Sequence, residues 1–278
     1  MTASDDLTCC VRFFAEERYG ENEANRMICD ACGDVDKLFC LYRDLVNVRE
    51  PMPVPEDILD AQDRMLSERI SHAGITDADV LPRTSLDSRI SLWRGDITTL
   101  AADAIVNAAN SQMLGCWIPG HFCIDNAIHT FAGVQLRAEC SRIMREQGCS
   151  EPTGMAKVTS GYNLSSKWII HTVGPIASGT PTESDRGLLA CSYRSCLDAA
   201  KAIGARSIAF CCISTGVFGF PQGDAAEIAV KTVRDWLDRS ESDIHVIFNV
   251  FGQKDEDIYH ELLFRSYVFW RRIFMCEA

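Results

Sequence analysis

Apolar residues recur along the chain with two different periods, and the change falls near residue 80. Over the first 80 residues they recur every three or four positions, as at Leu38, Leu41 and Leu45, which is the spacing of one face of an α-helix. No segment there alternates convincingly between apolar and polar positions. The pattern predicts a helical N-terminal extension over residues 1–80 and a second domain over residues 81–278.

From about residue 88 onward, short β-like runs alternate with helical patterns. The predicted strands are 90–94, 104–107, 156–160, 168–172, 207–213 and 244–251. The predicted helices are 125–147, 183–203, 223–239 and 255–272. Alternation of this kind is typical of an α/β fold, in which a mixed, mostly parallel central sheet lies between layers of helices.

Composition and charge exclude several functional classes. The chain has 278 residues, fourteen of them cysteines, and a formal net charge of −12. An acidic protein is not expected to bind duplex nucleic acid, which requires a basic face to displace counterions from phosphates. No apolar run approaches about eighteen residues, and the N-terminus has no secretory pattern. We therefore expect an intracellular, cytoplasmic monomer without a membrane partner, whose thiols are reduced, buried or metal-bound.

A turn-rich segment carries the most specific chemistry. Cys116, His121 and Cys123 fall within eight residues, and two thiolates with one imidazole suit Zn²⁺, leaving a fourth position for water or substrate. A distant fourth protein ligand would instead make the zinc structural. Cys29 and Cys32 form a second C-x2-C pair, but no partner pair follows at zinc-finger spacing, so we expect no metal there.

A helix is predicted to begin near Asp125, directly after these ligands. Its unpaired N–H groups would face the metal loop and favour an anion there. Asp125 can serve as a general base, since that role requires an acceptor within hydrogen-bond reach of the proton it removes. It can also be only the N-cap of its helix, a position where Asp is favoured, and the two roles are compatible.

A second loop is predicted to bind a phosphate or pyrophosphate. Residues 214–219 place two glycines, Ser214 and Thr215 between an apolar strand and a helix, so that successive backbone N–H groups can surround an anion. A plain strand-to-helix turn is the alternative. This loop and those that follow the other strands should converge at the carboxyl edge of the sheet, where α/β proteins bind ligands.

Six motifs in one order resemble the macrodomain family of ADP-ribose binders and hydrolases. They are R-G-D-I-T at 94–98, I-V-N-A-A-N at 105–110, D-N-A-I-H at 125–129, T-S-G-Y-N-L at 159–164, H-T-V-G-P at 171–175 and S-T-G-V-F-G-F-P at 214–221. The G-C-W-I-P-G-H-F-C segment before Asp125 is similar to the zinc-dependent branch of that family, microbial hydrolases with a helical N-terminal extension. The resemblance implies a three-layer α/β/α sandwich.

The resemblance also implies a role for each loop in binding ADP-ribose. Asp96 would accept a hydrogen bond from the adenine amino group, unless it only caps a turn, and the Ile97 amide would support the ring. Asn110 would bind the distal ribose, and Asn107 would brace its loop. The remaining residues expected at the ligand are Asn126, Ser214, Thr215, Gly216, Val217, Phe218, Gly219 and Phe220, although Phe218 and Phe220 can equally be core residues.

The implied activity is zinc-dependent release of ADP-ribose from mono-ADP-ribosylated proteins, through an ester or serine oxygen linkage. Zn²⁺ on Cys116, His121 and Cys123 would stabilise the departing oxygen, and Asp125, with Asn110, would form the catalytic set. Two alternatives stay open: a reader that binds ADP-ribose without cutting it and keeps a structural zinc, and an O-acetyl-ADP-ribose deacetylase. His129 and His171 are expected to pack or to form supporting hydrogen bonds rather than to catalyse.

Overall fold

The structure is a computed structural model that describes residues 3–264. Its N-terminal part is helical, as the periodicity predicts, with helices α1 (Ala3–Tyr19), α2 (Glu21–Ala31), α3 (Val35–Asn47) and α4 (Glu56–Ala73). The side chain of Asp34 caps α3 by accepting the N–H groups of Asp36 and Lys37 at 3.0 and 3.1 Å. Buried side chains from all four helices, among them Phe14, Ala24, Tyr42 and Leu66, form a core of their own.

A mixed sheet of six strands follows. After the short parallel pair β1 (Thr76–Asp77) and β3 (Leu100–Ala101), the strands of the main sheet are β2 (Ile90–Arg94), β4 (Ala104–Ala109), β5 (Ala156–Ser160), β6 (Trp168–Val173), β7 (Ser207–Phe210) and β8 (His245–Val250). Their order is β2-β8-β7-β4-β6-β5. All neighbours are parallel except β5, which pairs antiparallel with β6 at one edge. The predicted mixed, mostly parallel sheet is confirmed.

Helices cover both faces of this sheet. They are α5 (Ile124–Ala132), α6 (Val134–Gln147), α7 (Glu183–Ala202), α8 (Gln222–Ser240) and α9 (Gln253–Phe264). Ala209 lies opposite Ile105 in the ladder, so Phe210 and Asn107 point to opposite faces. Asn107 contacts α5, whereas the Phe210 ring packs 5.0 Å from Tyr193 of α7. The layout is therefore a three-layer sandwich. None of the helices within residues 3–264 is long and apolar enough to cross a membrane.

The central strands are buried along nearly their whole length. Strand β4 reads A-I-V-N-A-A and β8 reads H-V-I-F-N-V, and every residue of β8 is buried. A parallel strand covered by helices on both faces carries a continuous apolar run in place of alternation. The polar residues inside these strands, Asn107 and His245 among them, are therefore exceptions that need partners.

Several predicted boundaries are wrong in detail. Residues 125–147 form two helices, because Gly133 adopts φ +98° between them, a conformation that favours glycine and ends a right-handed helix. Strand β7 ends at Phe210 and not at 213, since the chain leaves the ladder before the turn at Ser214. Strand β8 spans 245–250, inside the predicted 244–251. The last helix begins at Gln253, and the predicted residues 265–272 lie outside the described part of the chain.

The N-terminal helices pack directly against α5 and α6. The rings of Phe39 and Phe131 lie 5.7 Å apart. Buried Gln62 of α4 donates to the Gln135 side chain at 2.7 Å and accepts the backbone N–H of Val134 at 3.2 Å. The Asn163 side chain donates to Asp63 of α4 at 2.7 Å. Polar and apolar contacts thus join the two parts over a continuous surface.

Candidate active site

The loops that follow the parallel strands approach one another closely at the carboxyl edge of the sheet. The Asn249 side chain, near the end of β8, donates to the carbonyl of Gly95 after β2 at 2.9 Å. A methyl group on Gly174, after β6, would lie 2.1 Å from the Ser214 hydroxyl, after β7. This edge is also where Asp125 and the metal loop lie, so the segments singled out by the sequence surround one region.

Asp125 lies in the first turn of α5, but it is not the N-cap. The N-cap is Cys123, whose sulfur accepts the Asn126 N–H at 3.4 Å. The Asp125 carboxylate instead points at β4, where the Asn107 side chain donates to Oδ1 at 2.8 Å. Asp125 is buried, and burial raises its pKa to about 6, while the Asn107 hydrogen bond and the Arg137 charge oppose that rise.

Asn107 is oriented by a buried histidine. Its Nδ2 lies 3.1 Å from His171 Nδ1 as well as 2.8 Å from Asp125, so the histidine nitrogen acts as the acceptor. The other ring nitrogen, Nε2, then carries the proton and donates to the Thr159 hydroxyl at 2.9 Å. Burial lowers the pKa of His171 to about 3, which keeps the ring neutral. His171 therefore supports Asn107, in line with the expected supporting role.

Asn110 links Asp125 to the metal loop. Its Nδ2 donates to the carbonyl of Gly115 at 3.0 Å and, more weakly, to Asp125 Oδ2 at 3.4 Å. Its Oδ1 accepts the Gln112 N–H at 2.9 Å, which closes a tight turn after β4. The sequence predicts Asn107 to Asn110 as the loop after a strand, but the structure keeps Asn107 inside β4, and the shared contact of the two side chains with Asp125 depends on how β4 and α5 pack.

Cys116, His121 and Cys123 come together as the sequence predicts. Their ligand atoms all lie within 4.8 Å of one another, and Cys116 Sγ is 3.5 Å from His121 Nδ1. Tetrahedral zinc with Zn–S about 2.3 Å and Zn–N about 2.0–2.1 Å places sulfur and nitrogen about 3.5 Å apart. The donor set and its spacing therefore fit Zn²⁺. Burial raises the pKa of the Cys123 thiol to about 12, so a cation is needed to hold it as the thiolate.

A second cluster has metal-ligand atoms but a different hydrogen-bonding pattern. His129, Cys140 and His171 are buried, with ligand atoms within 4.8 Å. His171, however, already uses both nitrogens on Asn107 and Thr159, so a metal there would break the support of Asn107. His129 Nε2 is 3.6 Å from Asp125, but burial lowers the pKa of His129 well below its usual value. The ring is neutral, and the contact is not an ion pair.

The loop after β7 forms a tight turn before α8. Ser214 adopts φ +66°, and the turn is closed by Gly219 N–H to the Gly216 carbonyl at 3.0 Å. The amides of Gly216, Val217 and Phe218 have no hydrogen-bond partner among the described residues. Adjacent N–H groups without protein partners, ahead of a helix, can surround a phosphate.

The two aromatic residues of this loop differ in environment. Phe220 is 2 % exposed and belongs to the central core, whereas Phe218 is half-buried. The core interpretation thus fits Phe220, and Phe218 remains available to a ligand. Thr215 turns its hydroxyl back to the Cys212 carbonyl at 3.0 Å.

Asp96 and Ile97 lie at the end of β2. Asp96 caps a short 3₁₀ turn, with Oδ1 accepting the Thr98 N–H at 2.9 Å and its hydroxyl at 2.7 Å. Its side chain is exposed, so the second oxygen can still accept from a ligand. Ile97 is buried below it.

Three residues at this site were missed from the sequence. Arg43 and Asp44 of α3 contact the metal loop, and Arg137 of α6 lies over the Trp117 ring at 4.3 Å. Asn126, expected to bind ligand, is buried and bonded to Ile118 and Arg43. The sequence near the two arginines does not indicate their role, because their partners are distant in the chain.

Comparison with known proteins agrees with this geometry. The profile of the family described as Macro domain matches residues 106–229. A solved Trypanosoma brucei macrodomain in complex with ADP-ribose superposes with a TM-score of 0.58 at 32 % identity, over 79 % of this chain and 94 % of that one. The chain belongs to the macrodomain family.

Curated relatives extend the similarity into the N-terminal region. A protein-ADP-ribose hydrolase of Treponema medium is 56 % identical over 232 residues, which cover 83 % of this chain and 89 % of the relative. A protein-ADP-ribose hydrolase of Staphylococcus aureus is 52 % identical over 232 residues, 83 % of this chain and 86 % of the relative. Since the Macro domain match begins at residue 106, alignments of this length include residues outside it.

Proposed function

We propose that this protein is a zinc-dependent hydrolase that releases ADP-ribose from mono-ADP-ribosylated proteins through an oxygen linkage. The observation that carries the proposal is the hydrogen-bonded set of Asp125, Asn107 and Asn110, joined through Gly115 to a loop whose Cys-His-Cys spacing fits Zn²⁺. The relatives named protein-ADP-ribose hydrolase support the hydrolase part of this proposal.

The nucleotide half of the ligand would be held mainly by the backbone. The unpaired amides of Gly216, Val217 and Phe218 would take the pyrophosphate, next to the N-terminus of α8. The exposed oxygen of Asp96 would accept from the adenine amino group. Because neutral amides bind the phosphates, a protein of net charge −12 can hold a dianionic ligand without a cluster of lysine or arginine.

The distal ribose would then lie beside Asp125. Water adds to the anomeric carbon as the bond from that carbon to the linking oxygen breaks. Asp125 Oδ1 is held by Asn107 at 2.8 Å, while Oδ2 has only the longer contact with Asn110, so Oδ2 has the capacity to take the proton from water. When bound, Zn²⁺ supplies positive charge that stabilises the departing oxygen. Asn110 would orient a ribose hydroxyl.

The decisive experiment measures release of free ADP-ribose from mono-ADP-ribosylated protein. Ester-linked and serine-linked substrates are compared, each with protein as purified, stripped by a chelator and refilled with Zn²⁺. We expect release to fall with the metal and to return on refilling. The Cys116→Ser variant should lose both zinc and release, whereas Cys149→Ser, which removes an exposed thiol outside the metal loop, should keep both.

The Asp125→Asn variant separates catalysis from binding. Loss of a general base typically costs about 10²–10⁴-fold in rate, and we expect a loss in this range with ADP-ribose affinity and zinc content retained. Tight ADP-ribose binding by the native protein without release from either substrate would make it a reader. Release only from O-acetyl-ADP-ribose would make it a small-molecule deacetylase, and full turnover after zinc removal would exclude the metal-dependent mechanism.

A further inference from the structure

We propose that helix α3 of the N-terminal region is a working part of the metal site, with Arg43 as the positioning residue for the loop 116–123. This inference rests on the proposed zinc-dependent function and extends it to a region outside the Macro domain match, which begins at residue 106. The N-terminal helices would then do more than cover the sheet, because one of them fixes the metal ligands.

Arg43 contacts both the loop and the helix that follows it. Its Nη2 donates to the backbone carbonyl of His121 at 3.2 Å, and its Nε donates to Asn126 Oδ1 at 2.8 Å. The two acceptors lie on either side of Cys123. A planar guanidinium holds two such acceptors in one fixed geometry, which a lysine ammonium does not. Its position therefore limits the rotation of the peptide that carries the His121 ligand.

Asn126 passes this constraint to the start of the loop. It is fully buried, and its Nδ2 donates to the carbonyl of Ile118 at 3.3 Å while its backbone N–H donates to Cys123 Sγ at 3.4 Å. With Oδ1 on Arg43, the side-chain amide has one orientation. Arg43 thus influences the segments before and after the tip of the loop through a single buried residue.

Asp44, the next residue of α3, lies against the tip itself. A methyl group on Gly120 would be 3.6 Å from Asp44 Oδ1, and Gly120 has φ +64°. Burial raises the pKa of Asp44, while the Arg43 charge and the Gly120 amide lower it. The tip therefore lies against Asp44, which directly follows Arg43 in α3.

The C-terminal end of α3 supports the other side of the loop. Arg137 Nη1 donates to the carbonyls of Val46, Asn47 and Arg49 at 3.0, 2.9 and 2.8 Å, and its guanidinium lies 4.3 Å from the centre of the Trp117 ring. Arg137 is buried. Hydrogen bonds from a charged donor and a desolvated cation–π contact are among the stronger polar interactions in proteins. Helix α3 thus contacts one flank of the loop directly through Arg43 and the other indirectly, through Arg137 of α6.

The physical consequence is preorganisation. Residues 116–123 contain Pro119 and Gly120 and no regular secondary structure, and ordering each such residue costs backbone entropy. Contacts with α3 already order part of the loop in the metal-free protein, so less entropy is lost when zinc binds. Zinc should therefore bind more tightly than it would to a disordered loop. Removal of supporting contacts around metal ligands typically weakens affinity by about 10–100-fold.

The test uses the full chain with Arg43→Gln and Arg43→Lys. Arg43→Lys keeps the positive charge but loses the planar fork, which separates positioning from electrostatic repulsion of the metal. Arg12→Gln is the matched control, since Arg12 is an exposed arginine of α1 bonded to Asn25. Two quantities are measured: the zinc dissociation constant by chelator competition, and hydrogen exchange of the 114–124 segment in metal-free protein.

We expect zinc affinity to fall about tenfold in Arg43→Gln and also to fall in Arg43→Lys, with Arg12→Gln unchanged. Exchange of the 114–124 segment should accelerate in both Arg43 variants before any metal is added. Saturating zinc should restore most of the turnover, because the hydrogen bonds of Arg43 go to His121 and Asn126 and not to Asp125 or Asn110. Unchanged affinity and exchange in both variants, or tighter binding in Arg43→Gln, would overturn the inference.

The same experiment distinguishes this inference from the proposed function. If the native protein binds no zinc, the metal-dependent mechanism is excluded and no effect on zinc affinity can be measured. The exchange rates still show whether Arg43 orders the loop. If the native protein binds zinc and turns over substrate, but the Arg43 variants match it in zinc affinity and exchange, only the proposed role of α3 is excluded.

Discussion

Buried histidines in this sheet are kept neutral by their surroundings, and each then serves as a hydrogen-bonding group. His171 supports Asn107 beside Asp125, as described above. His245 is the first residue of β8, at the end of the sheet away from Asp125, and its Nε2 lies 2.8 Å from the Ser91 hydroxyl. Burial, with a smaller contribution from the Arg83 charge, lowers the pKa of His245 to about 4. Because protonating His245 inside the fold is unfavourable, the stability of the folded protein should depend on pH in the acid range.

His245 should therefore reduce stability as the pH falls. Its folded pKa lies below the unfolded value of about 6.5, so the unfolded state binds more protons, and stability is lost from about pH 6.5 down to about pH 4. Between pH 7 and 4.5 we expect the native protein to lose about 2 kcal/mol relative to His245→Gln, as measured by urea unfolding at both pH values. His72→Gln, at an exposed position, is the control, and an equal pH response in native protein and His245→Gln would contradict the expectation.

At the scale of elements, the candidate ligand cleft depends on how closely two loops pack. Gly174 after β6 leaves space for Ser214 after β7, whose φ of +66° begins the phosphate loop. An added methyl group would lie 2.1 Å from the Ser214 hydroxyl and 2.7 Å from the side chain of Ile213. Either contact requires the Ser214 or Ile213 side chain, and with it the packing of the second loop, to shift.

We expect Gly174→Ala to weaken ADP-ribose binding at least tenfold and to lower stability by about 1–3 kcal/mol, the usual cost of overpacking. Calorimetric titration with ADP-ribose and thermal unfolding measure the two effects. The control is Gly187→Ala within α7, where a methyl group meets nothing within 4 Å. That change should raise stability by about 0.5–1 kcal/mol without altering affinity. Normal ADP-ribose binding by Gly174→Ala would mean that the loop is not held by this contact.

The sequence predicts most of these elements because buried strands and amphipathic helices place apolar residues at characteristic spacings. Strands β2 and β5 match the predicted ranges, and the other four main strands differ by one to three residues at their ends. The break at Gly133 was missed because apolar periodicity continues across it. The clustering of Cys116, His121 and Cys123 was predictable from their spacing alone. Arg43 was not, since its acceptors are 78 and 83 residues away, and only tertiary packing brings them together.

At the scale of the whole molecule, the proposed boundary near residue 80 divides a structure that is strongly joined. Gln62 lies fully buried between the two parts. Its Oε1 accepts from the Tyr42 hydroxyl at 2.9 Å and from the Val134 N–H at 3.2 Å, and its Nε2 donates to Gln135 at 2.7 Å. Loss of this side chain would remove the partner of the buried Tyr42 hydroxyl and of the partly buried Val134 N–H and Gln135 side chain.

We expect the full chain to unfold in a single calorimetric transition, and Gln62→Ala to shift that whole transition downward. The cost should be about 3 kcal/mol, since each stranded buried donor or acceptor costs about 1–3 kcal/mol. Gln253→Ala, at an exposed position, provides the comparison and should change little. Two resolved transitions, with Gln62→Ala moving only the first, would show that the parts unfold independently.

The contacts between α3 and the metal loop also bear on protein engineering. A graft of residues 114–124 onto a macrodomain without such a helix would carry the three proposed ligand side chains but not Arg43, Asp44, Asn126 or the carbonyls that bind Arg137. The unit that can be transplanted is therefore larger than the ligand motif and discontinuous in sequence. A sequence search for the motif alone would accept chains in which that support is missing.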